Sequence, residues 1–97
     1  MTRDDVITRL NEHRPELERL GIDRLRVFGS VARGENTKVS DIDLVAEFDP
    51  HVRIGFAFVG IKRRLEEILE CDVDLLRAPI RQPELGMRIE KEGIYAF

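Results

Sequence analysis

A glycine-serine pair, Gly29-Ser30, is followed after ten intervening residues by two aspartates flanking one apolar residue, Asp41-Ile42-Asp43. Leu25, Val27 and Phe28 before the pair are a strand-like run, and Ile42 to Phe48 is a second. Successive strand residues face opposite sides, so Asp41 and Asp43, which open the second strand, are expected on one face with Ile42 and Leu44 on the other. At a rise of about 3.3 Å per residue their backbones stand roughly 6.6 Å apart, close enough to converge on one or two divalent cations. Without a cation the two carboxylates repel.

The half upstream of the aspartates supplies an anion site to match. Val31-Ala32-Arg33 can turn helically straight after Gly29-Ser30, and a small-residue turn entering a helix aims backbone N–H groups at an anion. The Ser30 hydroxyl adds a donor, and phosphate is the obvious anion. Two better-known loops fail on spacing. Gly29 and Gly34 have the glycine interval of a Walker A loop, but Glu35 and Asn36 stand where that loop needs Lys and Ser or Thr. A calcium loop starting at Asp41 would place Ala46 and Val52 where Gly and Glu are required.

Gly29, Ser30, Asp41 and Asp43, with Ala32-Arg33-Gly34-Glu35 and Ser40-Asp41-Ile42-Asp43-Leu44 in register, resemble the signature of the DNA polymerase beta-like nucleotidyltransferase superfamily. Phe28–Phe48 is similar to the core of its minimal branch, the MNT proteins, nearly position for position. The resemblance covers roughly residues 5 to 93 and is most specific in 28–48 and 73–75. It implies an α+β fold, the nucleotidyltransferase fold, with a small mixed β-sheet flanked by helices.

The remaining chain fits one such domain over residues 1–97. At 97 residues, 42% hydrophobic and 36% charged, the chain can build a modest core under a very polar surface. A net charge of −3 lacks the basic footprint of a nucleic-acid binder, so no direct nucleic-acid binding is expected. One cysteine, Cys71, and no apolar run of membrane or signal length point to a cytoplasmic protein with no membrane contact.

Val6, Ile7, Leu10, Leu17 and Leu20 form a helical stripe over residues 3–20, with Thr2 and Asp5 placed for a capping box and Pro15 predicting a break near His13-Arg14. His13 and His51 are expected to face solvent without a chemical role. Phe58, Ile61, Leu65 and Ile68 mark an amphipathic helix over 56–70, and Phe56 and Phe58 are expected in the core. Strands are expected at 24–28, 42–48 and 73–77, and a last helix at Pro83 to Glu92. Ile94-Tyr95-Ala96-Phe97 is then an apolar tail that docks on the core or meets a partner.

Asp74 interrupts the apolar run Val73, Leu75, Leu76, and a strand burying both faces seldom carries an unpartnered acid. Asp72 is the competing acid, read as a strand-entry residue. The resemblance places its third carboxylate in a Val-Asp-Leu context, which Val73-Asp74-Leu75 matches, although Glu70-Cys71 departs from the Gly-basic pair expected before it.

The resemblance further implies that the chain moves AMP from ATP onto a hydroxyl, with Asp41, Asp43 and Asp74 as catalytic and metal-binding acids. Two Mg2+ ions, or Mn2+, are the implied cofactors. Gly29, Ser30, Arg33 and Ser40 are the expected nucleotide-binding residues, and Lys38 a further phosphate partner. A chain this short leaves no residues for an acceptor domain, so the acceptor comes from another chain. In the minimal branch this is a HEPN-domain toxin, adenylylated on a tyrosine by its MNT antitoxin. Two alternatives stand beside it: a non-catalytic antitoxin that neutralises by binding, and a small-molecule adenylyltransferase acting as a homodimer.

Overall fold

The computed structural model describes residues 1–35 and 41–97. Helices α1 (Arg3–Glu12) and α2 (Arg14–Arg19) precede strand β1 (Ile22–Phe28), which runs directly into the short helix α3 (Gly29–Arg33). Strand β2 (Ile42–Phe48), helix α4 (Ala57–Leu69), strand β3 (Val73–Arg77), helix α5 (Pro83–Glu92) and strand β4 (Ile94–Tyr95) follow. Lys38 and Ser40, expected among the nucleotide-binding residues, lie outside the described residues.

The local signals act as their chemistry dictates. Thr2 Oγ1 accepts from the Asp5 N–H at 3.2 Å while Asp5 Oδ2 accepts from the Thr2 N–H at 3.0 Å, a complete capping box that starts α1. Pro15 sits in the first turn of α2, where its missing N–H has no intrahelical partner to lose. The chain therefore breaks at His13, between α1 and α2. His13 itself is half-buried, with Nδ1 2.9 Å from the Arg9 carbonyl, and does not simply face solvent.

The sheet has the order β3-β2-β1-β4. β1 pairs antiparallel with β2 and with β4, while β2 and β3 are parallel and need α4 as their crossover. One face of the sheet, carrying Leu25, Val27, Ile42, Leu44, Ala46, Val73 and Leu75, packs on Val6, Leu10, Leu17, Ile61, Leu65, Ile68 and Leu69. Alternation then sends Arg26, Phe28, Asp43, Val45, Asp74 and Leu76 to the opposite face. α5 borders that face, and its Ile89 is buried.

Three further expectations need correction. The sheet has a fourth strand, because the tail docks: Ala96 N–H donates to Leu25 O at 2.7 Å and Leu25 N–H to Phe97 O at 3.3 Å. Phe56 is not core but fully exposed, since α4 starts at Ala57 and Phe56 lies before the helical stripe. Phe58, on the stripe, is half-buried and packs edge-to-face on Phe48 with centroids 6.2 Å apart. Finally, β3 is an edge strand buried on one face only, so Asp74 is exposed and the premise of a doubly buried strand does not hold.

Candidate active site

β1 ends at Phe28 and the chain turns at Gly29 into α3, so the Gly-Ser pair forms the first turn of a helix at the end of a central strand. The first N–H groups of such a helix have no intrahelical acceptor. Phe28 is the register partner of Asp43 on β2, and Asp43 is in turn the register partner of Asp74 on β3. Adjacent strands lie about 4.8 Å apart, so the two carboxylates leave the same sheet face as immediate neighbours.

These elements enclose a cleft of about 440 Å³. Gly29, Ser30 and Arg33 line it from α3, Asp43 and Asp74 from the sheet, and Leu85, Arg88 and Glu92 from α5, with Phe28 and Leu76 as its apolar floor. Gly29 has φ +71°, and a β-carbon there would collide with Asp43 Oδ2. Glycine at this position is what lets the turn close onto the carboxylate.

Electrostatics single out Asp43. Its carboxyl is pushed above the ordinary value of 3.8, first by burial, then by the charges of Asp74 and Asp41, with Arg33 drawing it back down. Crowded carboxylates of this kind favour a proton or a cation between them. Asp41 is exposed, immediately precedes β2 and is not in the cleft wall, yet its charge acts on Asp43. Arg33 donates through Nε to Glu35 Oε2 at 3.0 Å and through Nη1 to Glu92 Oε2 at 3.3 Å, tying α3 to α5.

The structure thus brings together five sequence-predicted residues, Gly29, Ser30, Arg33, Asp43 and Asp74, and sets Asp41 beside them. Leu85, Arg88 and Glu92 were missed. Their spacing marks one face of a helix, but nothing local to α5 says against which sheet face that helix lies.

No three His, Cys, Asp or Glu side chains among the described residues form a ready-made metal cage. The oxygen donors nevertheless suit Mg2+, which is held by one or two carboxylates and completes its shell with water and substrate phosphates. The in-register placement of Asp43 beside Asp74 in one cleft is the observation that supports the fit, since a cation between them would relieve their repulsion.

The family model described as the nucleotidyltransferase domain matches residues 10–96. A candidate protein adenylyltransferase of Methanocaldococcus jannaschii is 34% identical over 97% of this chain and 97% of its own length. The protein adenylyltransferase MntA of Thermococcus cleftensis is 29% identical over 98% of this chain and 96% of its own length. Among solved structures, a candidate minimal nucleotidyltransferase superposes with a TM-score of 0.80 and 32% identity, covering 97% of this chain and 95% of that one. A toxin-antitoxin structure with AMP-PNP shares the fold at a TM-score of 0.70 and 21% identity, covering 100% of this chain and 73% of that one. On the motif, the fold and the extent of these matches, the chain belongs to the nucleotidyltransferase-domain family, in its minimal branch.

Proposed function

We propose that this protein transfers the AMP moiety of ATP to a hydroxyl of a partner protein, the partner being a HEPN-domain toxin and the acceptor a tyrosine near the toxin's active site. The observation that carries the reading is the in-register pair Asp43 and Asp74 facing the Gly29-Ser30 turn in one cleft. Relatives similar over nearly the whole chain are described as protein adenylyltransferases. The choice of partner rests on the motif resemblance and on a shared fold with a toxin-antitoxin complex.

In this reading Asp41 and Asp43 hold Mg2+, or Mn2+, with Asp74 completing the site. When bound, the cation supplies Lewis-acid neutralisation of the phosphates. Gly29 and Ser30 present backbone and hydroxyl donors to the outer phosphates, and the absence of a side chain at Gly29 leaves room for them beside Asp43. Ser40 is assigned to the same nucleotide. Asp74, exposed at the edge strand, accepts the proton of the acceptor hydroxyl. The acceptor oxygen bonds to the α-phosphorus, the bond from that phosphorus to the bridging oxygen breaks, and pyrophosphate leaves with the bonding pair. No helix among the described residues is long and apolar enough to cross a membrane.

Incubation with labelled ATP, Mg2+ and the HEPN protein, followed by mass spectrometry of both chains, tests the reading. Label on a partner tyrosine is expected; a partner neutralised without gaining mass overturns it.

A further inference from the structure

The cleft contains two arginines in different bonding states. Arg33 is engaged by Glu35 and Glu92, at 3.0 and 3.3 Å. Arg88 lines the same cleft from α5, is exposed, and makes no side-chain hydrogen bond or ion pair among the described residues. It shares a helix face with Leu85 and Glu92, at helical spacings of three and four residues, and both of these also line the cleft.

A nucleoside triphosphate entering this cleft brings several negative charges past Asp43, Asp74 and Glu92, three acids of its lining. Arg33 already shares its charge between two carboxylates, Glu35 and Glu92, and two of its five N–H groups are taken by them. A guanidinium with no competing carboxylate is the better ligand, and its planar fork matches two phosphate oxygens at once. We infer that Arg88 is a phosphate-binding residue that holds the outer phosphates of the nucleotide from α5, in the cleft that the Gly29-Ser30 turn also lines. The inference rests on the nucleotidyl-transfer reading and adds to it a residue from a helix that the motif does not reach.

Calorimetric titration of the intact protein with ATP and with AMP, both with Mg2+, tests it in the native chain, R88A, R88Q and R88K. Loss of a charged hydrogen bond predicts about tenfold weaker ATP binding in R88A and R88Q, with R88K between them and the native chain. AMP, lacking outer phosphates, should bind all four equally, and circular dichroism melts should coincide because Arg88 is exposed. Native-like ATP affinity in R88A and R88Q overturns the inference, as does an equal loss for AMP and ATP. Unchanged ATP binding with slower transfer also overturns it, because Arg88 would then face the acceptor. If the native chain itself fails to bind ATP, the nucleotidyl-transfer reading falls together with the inference. If it binds and transfers while R88A and R88Q match it, only the inference falls.

Discussion

Asp43 and Asp74 are register partners on the parallel strands β2 and β3, two like charges held side by side. The strands place them there because Leu44 and Leu75, the next residues along each chain, both turn into the core. Apolar burial therefore fixes the geometry of a pair whose own electrostatics oppose it.

Neutralising Asp43 should separate folding from chemistry. Its folded-state titration lies above 3.8, so the native state holds the proton more tightly than the unfolded chain, and stability declines as pH rises through that window. Asp43→Asn removes the penalty, and at neutral pH without metal it should melt at the native temperature or slightly above. Transfer should fall about 100-fold or more while partner binding persists. A variant that fails to fold would make Asp43 a structural residue. Full neutralisation of the partner by this variant would show that binding alone suffices.

Gly29 and Gly34 form a matched pair for measuring the contact with Asp43. Both have positive φ, +71° and +74°, but a β-carbon at Gly34 meets nothing within 4 Å among the described residues. Gly34→Ala should cost only the backbone term, about 1 kcal/mol. Gly29→Ala adds the collision with Asp43 and should cost about 2–4 kcal/mol, with loss of transfer. Equal denaturation midpoints for the two variants would show that the turn relaxes away from the carboxylate.

Glu16 and Arg64 join α2 to α4, with Arg64 Nη2 donating to Glu16 Oε1 at 2.9 Å and Nε to Glu16 Oε2. The hydrogen bond from Arg64 lowers the Glu16 titration below 4.5. This contribution is present above pH 4.5 and is lost as pH falls through the folded-state value. Glu16→Gln should therefore melt below the native protein at neutral pH, with the gap closing in acid. A gap independent of pH would assign the effect to packing.

The carboxy-terminal tail should contribute measurably to stability. Asn11 Nδ2 donates to Ala96 O at 2.6 Å and to Ile7 O at 2.9 Å, joining α1 to the tail. Asn11→Ala should cost about 0.5–1.5 kcal/mol in urea denaturation. Deleting residues 94–97 should cost more and raise aggregation, because the β1 edge loses its cover. Light scattering like that of the full chain would show that the edge is protected in another way.

Much of this molecule is written locally. The Thr2-Asp5 box, the break ahead of Pro15, the stripe Phe58-Ile61-Leu65-Ile68 and the helix Pro83–Glu92 follow from interactions spanning a few residues, which a linear pattern displays. The strand-turn-helix passage at Gly29-Ser30 and the spacing to Asp41 and Asp43 are legible for the same reason. What the linear pattern does not carry is which distant segments meet. Ile94-Tyr95 read as a tail became a strand only because β1 had an open edge, and Phe56 lost its core place to the point at which α4 begins. Asp74 met Asp43 through a parallel register set by buried leucines, and Arg88 and Glu92 reached the cleft because α5 borders the sheet face that carries the acids. Pairing register and helix docking are decided by burial of apolar surface across long sequence separations, so only the tertiary structure could decide them.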